Sequence, residues 1–353
     1  MFYIKYDTIL CRKKKIKDET MKKILLIATG GTIASAYTHE GLSPQLPAEQ
    51  LLSYVEGYEQ YCEVDVIQAF SLDSTDVYLK HWRALTELIK ERYEKYDGFV
   101  ICHGTDTMAY TGAALSYMIQ NSAKPIVITG AQKPIDLPIT DARTNLGDSL
   151  RFASHDRAHG VNIVFGGKVI AGTRAKKEKS KSYNAFSSIN YPVIAMIIDG
   201  RIAFYIDDKD QCKDEVRFYT EMNDRIFLLK LIPGMDASIL NYVFEHYDGV
   251  IIESYGVGGL PAYGDTPFYS EIKRWIKAGK IIVMATQVTH EGSDMGIYRV
   301  GKVMKENFSL IEAYDMTLEA TVTKTMWALA KESDPERFSQ LFYHTINHDL
   351  LFK

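Results

Sequence analysis

The chain has 353 residues, with 41 Lys and Arg against 45 Asp and Glu, a net charge of −4 at pH 7. Such mild acidity gives no long-range attraction to nucleic-acid phosphates or anionic lipid, so neither is an expected partner. At about 150 residues per domain the length suggests two domains, with cores large enough to need no disulfide or metal staple.

Residues 1–20 (MFYIKYDTILCRKKKIKDET) place a basic run, Arg12 to Lys15, after a short apolar stretch. A secretory signal has the opposite order. The segment reads as a disordered or non-native extension with Met21 the effective start, and the protein is expected in the cytoplasm. The four cysteines, Cys11, Cys62, Cys102 and Cys212, form no CxxC pair and suit a reducing compartment. Apolar runs such as 192–198 fall far short of the roughly 20 residues of a membrane span.

From residue 21 onward, short β-branched or aromatic runs alternate with amphipathic stretches. Strands are expected at 24–28, 99–102, 126–129, 161–165, 168–171 and 193–198. Trp82, Leu85, Leu88 and Ile89 recur at i, i+3, i+6 and i+7, which predicts a helix over 78–95 with one buried face. Further helices are expected at 107–120 and 141–156. The charged segment 206–224 lacks either periodicity and reads as a linker. A second block follows, with strands near 226–232, 249–252 and 281–285 and helices near 236–247, 266–278 and 317–332. The expected fold class is α/β: two doubly wound parallel-sheet domains, a larger N-terminal one over 21–205 and a smaller C-terminal one over 225–353.

At several strand ends the chain passes directly into small hydroxyl or glycine residues: TGGT at 29–32, HGTD at 103–106, TGAQ at 129–132 and SYGVGG at 254–259. Ligands of open α/β sheets sit beyond the carboxyl ends of the strands, so these turns are expected to converge on one crevice. Thr32 heads the segment after TGGT. The P-loop and dinucleotide fingerprints are both absent, which leaves either a reactive hydroxyl or a plain helix cap. Thr105 and Asp106 present the same choice before the helix at 107–120, and His103 reads more readily as a satisfied turn histidine. A threonine hydroxyl is a poor nucleophile unless a base takes its proton. A lysine of the basic run 174–179 is a candidate base, although most such runs are solvated surface. Asp73 and Ser74 suit a zwitterionic ligand, or again a cap. His344 and His348 lack an HExxH glutamate and a third ligand, and no GxSxG elbow exists.

The combination TGGTIA, HGTDTM about seventy residues on, TGAQKP, and a lysine five residues after the strand-end Gly172 resembles the L-asparaginases. The ESYGVGGLP and DMTLEATVTKT segments resemble their cytoplasmic (type I) bacterial branch, and the likeness runs from about Met21 to Lys331. It implies that L-asparagine is hydrolysed to L-aspartate and ammonia through a threonyl acyl-enzyme. Thr32 would be the nucleophile, with Thr105, Asp106 and Lys177 as the proton relay. Asp73, Ser74, Thr105 and Asp106 would bind the substrate's charged ends, and main-chain groups of Gly130 and Ala131 would lie against the leaving amide. The resemblance implies no cofactor, no metal, and a homodimer or homotetramer. There are departures. The position of the family's lid-loop tyrosine, within 34–47, is Leu42, and Tyr37 stands in another register. The arginine and cysteine of the type I allosteric site are Glu253 and Val288, so allosteric activation is expected to be absent or altered. The asparagine after GVG is Gly259. Two other readings stay open: the ammonia-releasing subunit of a tRNA-dependent amidotransferase, which carries an extra N-terminal domain that twenty residues cannot supply, and a non-catalytic amino-acid sensor of the same fold.

Overall fold

The structure is a computed structural model that describes residues 21–38, 41–44, 46–208, 214–263, 267–297, 302, 305 and 310–352, with no side-chain description at 36–38 and 41–44. The extension 1–20, Cys11 and Cys212 therefore lie outside the described residues, as do the side chains of Tyr37 and Leu42. The backbones of Tyr37 and Leu42 face each other across a hairpin of Ser35–Thr38 and Gly41–Pro44.

The first domain is built on an eight-stranded sheet. Its order is Arg201–Phe204, Ala195–Ile198, Lys168–Ala171, Gly160–Phe165, Pro125–Thr129, Gly98–Cys102, Lys22–Gly30 and Cys62–Leu72. The last five of these run parallel. Gly98–Cys102 and Pro125–Thr129 are buried at every residue, which is why they read as unbroken apolar runs. Helices cover both faces, among them Leu79–Arg92, Met108–Met118 and Ala142–Ala153.

The other three strands pair antiparallel with their neighbours, so Lys168–Ala171 and Arg201–Phe204 run against the central strands, while Ala195–Ile198, within the run expected at 193–198, lies between them and runs with the central strands. The cause is local. Gly166 and Gly167 both have positive φ (57° and 72°), as do Asp199 and Gly200 (49° and 66°). Two such residues form the tight hairpin turn whose twist matches its strands, leaving no room for a crossover. Cys62–Leu72 was not among the expected strands. It is an edge strand on which Glu63 and Asp65 alternate with Val64 and Val66, so it carries half the apolar signal of a central strand.

The second domain has four parallel strands, in the order Ile226–Lys230, Gly249–Ser254, Ile281–Thr286 and Ile311–Glu312. Its helices Ile239–His246, Phe268–Lys277 and Leu318–Leu329 match the expected ones to within a few residues at each end. One buried cluster spans both domains, bringing Leu25, Phe99 and Leu115 into the same core as Ile251, Val283 and Trp327. Helices Met108–Met118 and Leu318–Leu329 pack against each other within it. Of the segment expected as a linker, Arg217–Phe218 pairs antiparallel with Ile119–Gln120 of the first domain. Among the described residues no helix is long and apolar enough to cross a membrane.

Candidate active site

Strand Lys22–Gly30 ends in a turn that only glycine can make. Gly31 has φ +74°, and a Cβ there would sit 2.4 Å from the Cα and N of Gly104. The turns TGGT and HGTDT therefore touch backbone to backbone. The Gly31 N–H donates to the Leu72 carbonyl (2.9 Å), and the Thr29 hydroxyl to that of Cys102 (2.8 Å), which locks the turn to both neighbouring strands. Thr32 follows at the start of a 3-10 turn, Thr32–Ala34, whose N-cap position is Gly31. It is half-buried and, among the described residues, its hydroxyl has no hydrogen-bond partner. The capping role is thus not what Thr32 does.

The second turn follows strand Gly98–Cys102. Gly104 lies against Ser74, where a Cβ would meet the hydroxyl at 2.6 Å. The Ser74 Oγ accepts the Asp106 N–H (3.2 Å), and the Ser74 carbonyl accepts the Thr107 hydroxyl (2.7 Å). Helix Met108–Met118 has Thr107 at its N-cap and no side-chain cap, so Thr105 and Asp106 are free for other contacts. Asp73 does cap: its Oδ1 accepts the N–H and the hydroxyl of Thr75 (2.8 and 2.9 Å).

Lys177 joins these turns. It ends the short strand Ala175–Lys177, which forms a hairpin with Phe186–Ser188. Its Nζ lies 2.8 Å from Thr105 Oγ1 and 2.6 Å from Asp106 Oδ1. The lysine side chain is 17% exposed and that of Asp106 58%, so the ion pair has one sheltered end and one facing the crevice. The rest of the basic run is not uniformly solvated surface: Arg174 is fully buried, with Nη2 on Asp315 Oδ2 at 2.8 Å and Nη1 on the Asp315 carbonyl at 2.7 Å.

The third turn follows strand Pro125–Thr129. Gly130 lies against His103, where a Cβ would fall 2.2 Å from the carbonyl oxygen, and the Gly130 carbonyl accepts from Asn145 Nδ2 (2.9 Å). Ala131 is fully buried. Gln132 comes next, and sequence reasoning passed over it. Its amide connects Thr105 to the loop after Lys177. The signal that could have found it is its place in a strand-end turn, directly after Gly130 and Ala131. Asp141, kept above the ordinary carboxylate range by burial, accepts the N–H groups of Gln132 and Lys133.

His103 is indeed a satisfied turn histidine. It is fully buried, Nδ1 donates to the Gly104 carbonyl (2.7 Å), and Nε2 accepts the Thr111 hydroxyl (3.0 Å), which in turn accepts from Trp82 Nε1. The carbonyl can only accept, which fixes the tautomer. Burial lowers the His103 pKa to about 4, so the ring is neutral at pH 7.

Thr32, Ser74, Thr105, Asp106, Lys177 and Gly130 are thus held on abutting turns, most of them beyond the carboxyl ends of parallel strands. Glu253 is the penultimate residue of strand Gly249–Ser254, buried, with Lys230 Nζ at 3.8 Å. Its carbonyl accepts from Gln287, the neighbour of the exposed Val288. Gly259 closes a turn on the Tyr255 carbonyl. His348 is engaged elsewhere than with His344: His348 Nε2 and His159 Nε2 each lie 3.2 Å from a different oxygen of Asp208, which stays well below the ordinary carboxylate range. They border a cavity of about 470 Å³ that also includes Gly160 and Val161, at the amino end of their strand. Among the described residues no group of three His, Cys, Asp or Glu is arranged to hold a metal ion.

Residues 23–209 match the family described as "Asparaginase, N-terminal", and residues 225–342 match "Glutaminase/Asparaginase C-terminal domain". The chain is 37% identical over 326 residues to the L-asparaginase of Thermococcus kodakarensis, covering 92% of this chain and 98% of the relative. It is 33% identical over 325 residues to a subunit of the glutamyl-tRNA(Gln) amidotransferase of Pyrococcus furiosus, covering 88% of this chain and 73% of that relative. The solved structure of the thermostable L-asparaginase from Thermococcus kodakarensis superposes with a TM-score of 0.87 at 35% identity, over 94% of this chain and all of the other.

Proposed function

The chain belongs to the asparaginase family, and from that premise we propose that it is an L-asparagine amidohydrolase in which Thr32 is the nucleophile. The observation that carries the reading is the contact of Lys177 Nζ with both Thr105 Oγ1 (2.8 Å) and Asp106 Oδ1 (2.6 Å), on a turn pressed against the one that bears Thr32. The Thr32 oxygen adds to the side-chain amide carbon. Its proton reaches the departing nitrogen through the Thr105–Lys177–Asp106 relay, the C–N bond breaks, and ammonia leaves a Thr32 acyl ester. Water then adds to the ester, the Thr32 C–O bond breaks, and L-aspartate departs as Thr32 regains its proton. The main-chain N–H groups of Thr32 and Thr105 stabilise the oxyanion, and one such donor is worth about 2.7–4 kcal/mol. Asp73, Ser74 and Asp106 hold the α-amino and α-carboxylate groups, and Gly130 and Ala131 line the path of the leaving amide. The reading extends to a cytoplasmic homodimer or homotetramer that uses no cofactor.

A second reading, the ammonia-releasing subunit of an amidotransferase, draws on the similarity to the Pyrococcus furiosus protein. The asparaginase reading is favoured by the higher identity to the Thermococcus kodakarensis L-asparaginase, 37% against 33%. Coupled ammonia detection with asparagine and glutamine, scanned over concentration, separates the two. Saturable release from asparagine by the isolated chain is expected, with a hyperbolic curve because Glu253 presents an anion where a carboxylate-bearing effector would dock. Release that needs glutamine and a partner would favour the amidotransferase. Thr32→Ala should abolish turnover while leaving the circular dichroism spectrum unchanged; retained turnover would remove Thr32 as nucleophile.

A further inference from the structure

We propose that Gln132 is a positioning residue that holds the Thr105 hydroxyl proton in the resting site and ties it to the loop after Lys177. The inference rests on the amidohydrolase reading above and deepens it. The Thr105 oxygen has one proton and two lone pairs. A protonated Lys177 can only donate, so its contacts with Thr105 Oγ1 and Asp106 Oδ1 use ammonium hydrogens. The proton of Thr105 must then go elsewhere, and the acceptor described for it is Gln132 Oε1, 3.4 Å away.

The orientation of this amide follows from its other partners. Gln132 Nε2 lies 3.3 Å from the Lys179 carbonyl and 3.2 Å from that of Ser182. Both are pure acceptors, so the nitrogen must face them and the oxygen must face Thr105. The Gln132 main-chain N–H is anchored separately, on the buried Asp141 carboxylate at 2.9 and 3.1 Å. Lys179 and Ser182 lie in the turn of the hairpin that carries Lys177, so one side chain fixes both the hydroxyl and the hairpin of its base.

An amide oxygen is not basic enough to take the proton; it can only park it. Once Lys177 is neutral, its lone pair competes for that same proton, and the hydroxyl turns from Gln132 to Lys177. Gln132 therefore sets the starting geometry of the relay without entering the chemistry. The charged groups around it are Lys177 and Asp106 on the Thr105 side, Asp141 behind its backbone, Lys133 next in the chain, and Lys179, whose carbonyl accepts from its Nε2.

The test uses the full chain with Gln132→Glu and Gln132→Met. The glutamate keeps the shape, adds an anion beside the ammonium and cannot donate to the two carbonyls. The expected result is an ascending limb of the kcat/KM profile moved about one pH unit upward, and a kcat at neutral pH about tenfold lower. Gln132→Met should lower kcat by a similar factor without the shift, and KM should move less than kcat in both. An ascending limb unmoved in Gln132→Glu, or a wild-type kcat in Gln132→Met, would overturn the proposal. Should the methionine variant not fold, the nearly isosteric glutamate carries the test alone. Titration of the Lys177 resonance in ¹³C-lysine-labelled protein, wild type against Gln132→Glu, reads the same contact without turnover. A shifted titration in a chain that releases no ammonia would support the contact and sink the amidohydrolase reading; an unshifted one would sink the contact.

Discussion

A neutral histidine at the head of the turn that bears Thr105 and Asp106 couples folding to pH. His103 is fully buried and its pKa is pushed down to about 4 by burial, against about 6.5 in an unfolded chain. Between those values the unfolded chain binds more protons than the folded one. Its contribution is therefore intact above pH 6.5 and is lost as pH falls toward 4, by about 3 kcal/mol in all. Below pH 4 both states are protonated and nothing further is lost. Urea unfolding of His103→Gln should show a flatter decline of stability over this window than the wild type. A decline of the same steepness would assign it to other groups. The bonds to Gly104 and Thr111 explain why burial is tolerated: both ring nitrogens are satisfied in the neutral form.

Among the elements, the strand-end turns do the positioning, and they depend on backbone contact. Gly31 needs φ +74° and stands 2.4 Å, measured from an added Cβ, from main-chain atoms of Gly104 that have no rotamer to escape into. Gly31→Ala should cost about 1–3 kcal/mol in strain. On the proposed mechanism it should also reduce ammonia release on the order of 100-fold, because a displacement near 1 Å separates Thr32 from the proposed Thr105–Lys177–Asp106 relay. Gly279→Ala is the control, since Gly279 has a similar φ of +77° but open space around it. Thermal unfolding and steady-state rates of the two variants isolate the effect of close approach. Equal losses of activity would show that the contact between turns is not what matters.

At the scale of the whole molecule, the C-terminal peptide is part of the site's foundation. Arg174, three residues before Lys177, donates Nε to the His348 carbonyl (2.5 Å), and the Thr173 hydroxyl donates to that of Asn347 (2.5 Å). The Asp315 carboxylate that pairs with Arg174 also accepts the Leu351 N–H. Close by, the fully buried Lys324 pairs with Asp349 at 2.6 Å, and the Tyr117 hydroxyl donates to the same carboxylate oxygen. Deleting residues 345–353 would leave the Lys324 ammonium without its carboxylate, and breaking a buried pair from one side costs about 3–5 kcal/mol. The truncated chain should unfold at markedly lower temperature and urea concentration than the wild type, with Asp349→Asn intermediate. A truncation that left both midpoints in place would show that the tail is dispensable.

The amino-acid order alone determined the central strands and the turns that follow them. A strand buried on both faces must be apolar throughout, and a turn that touches a neighbouring backbone must be small, so both leave local marks. Thr32, Thr105 and Asp106 could be singled out for the same reason, since they lie in such turns, whereas only the resemblance to the asparaginases picks Lys177 from its basic run. Tertiary structure alone decided the rest. Cys62–Leu72 alternates because it lies on an edge, and Lys168–Ala171 and Arg201–Phe204 run against the central strands because a two-residue turn reverses the chain before each. Arg174 reads as one more surface cation in a basic run but is fully buried against Asp315. Gln132 has no periodicity to betray it, because its partners lie 27, 47 and 50 residues away. A hydrogen bond between residues that far apart depends on where folding brings the loops, and nothing in the local pattern of either segment encodes that distance.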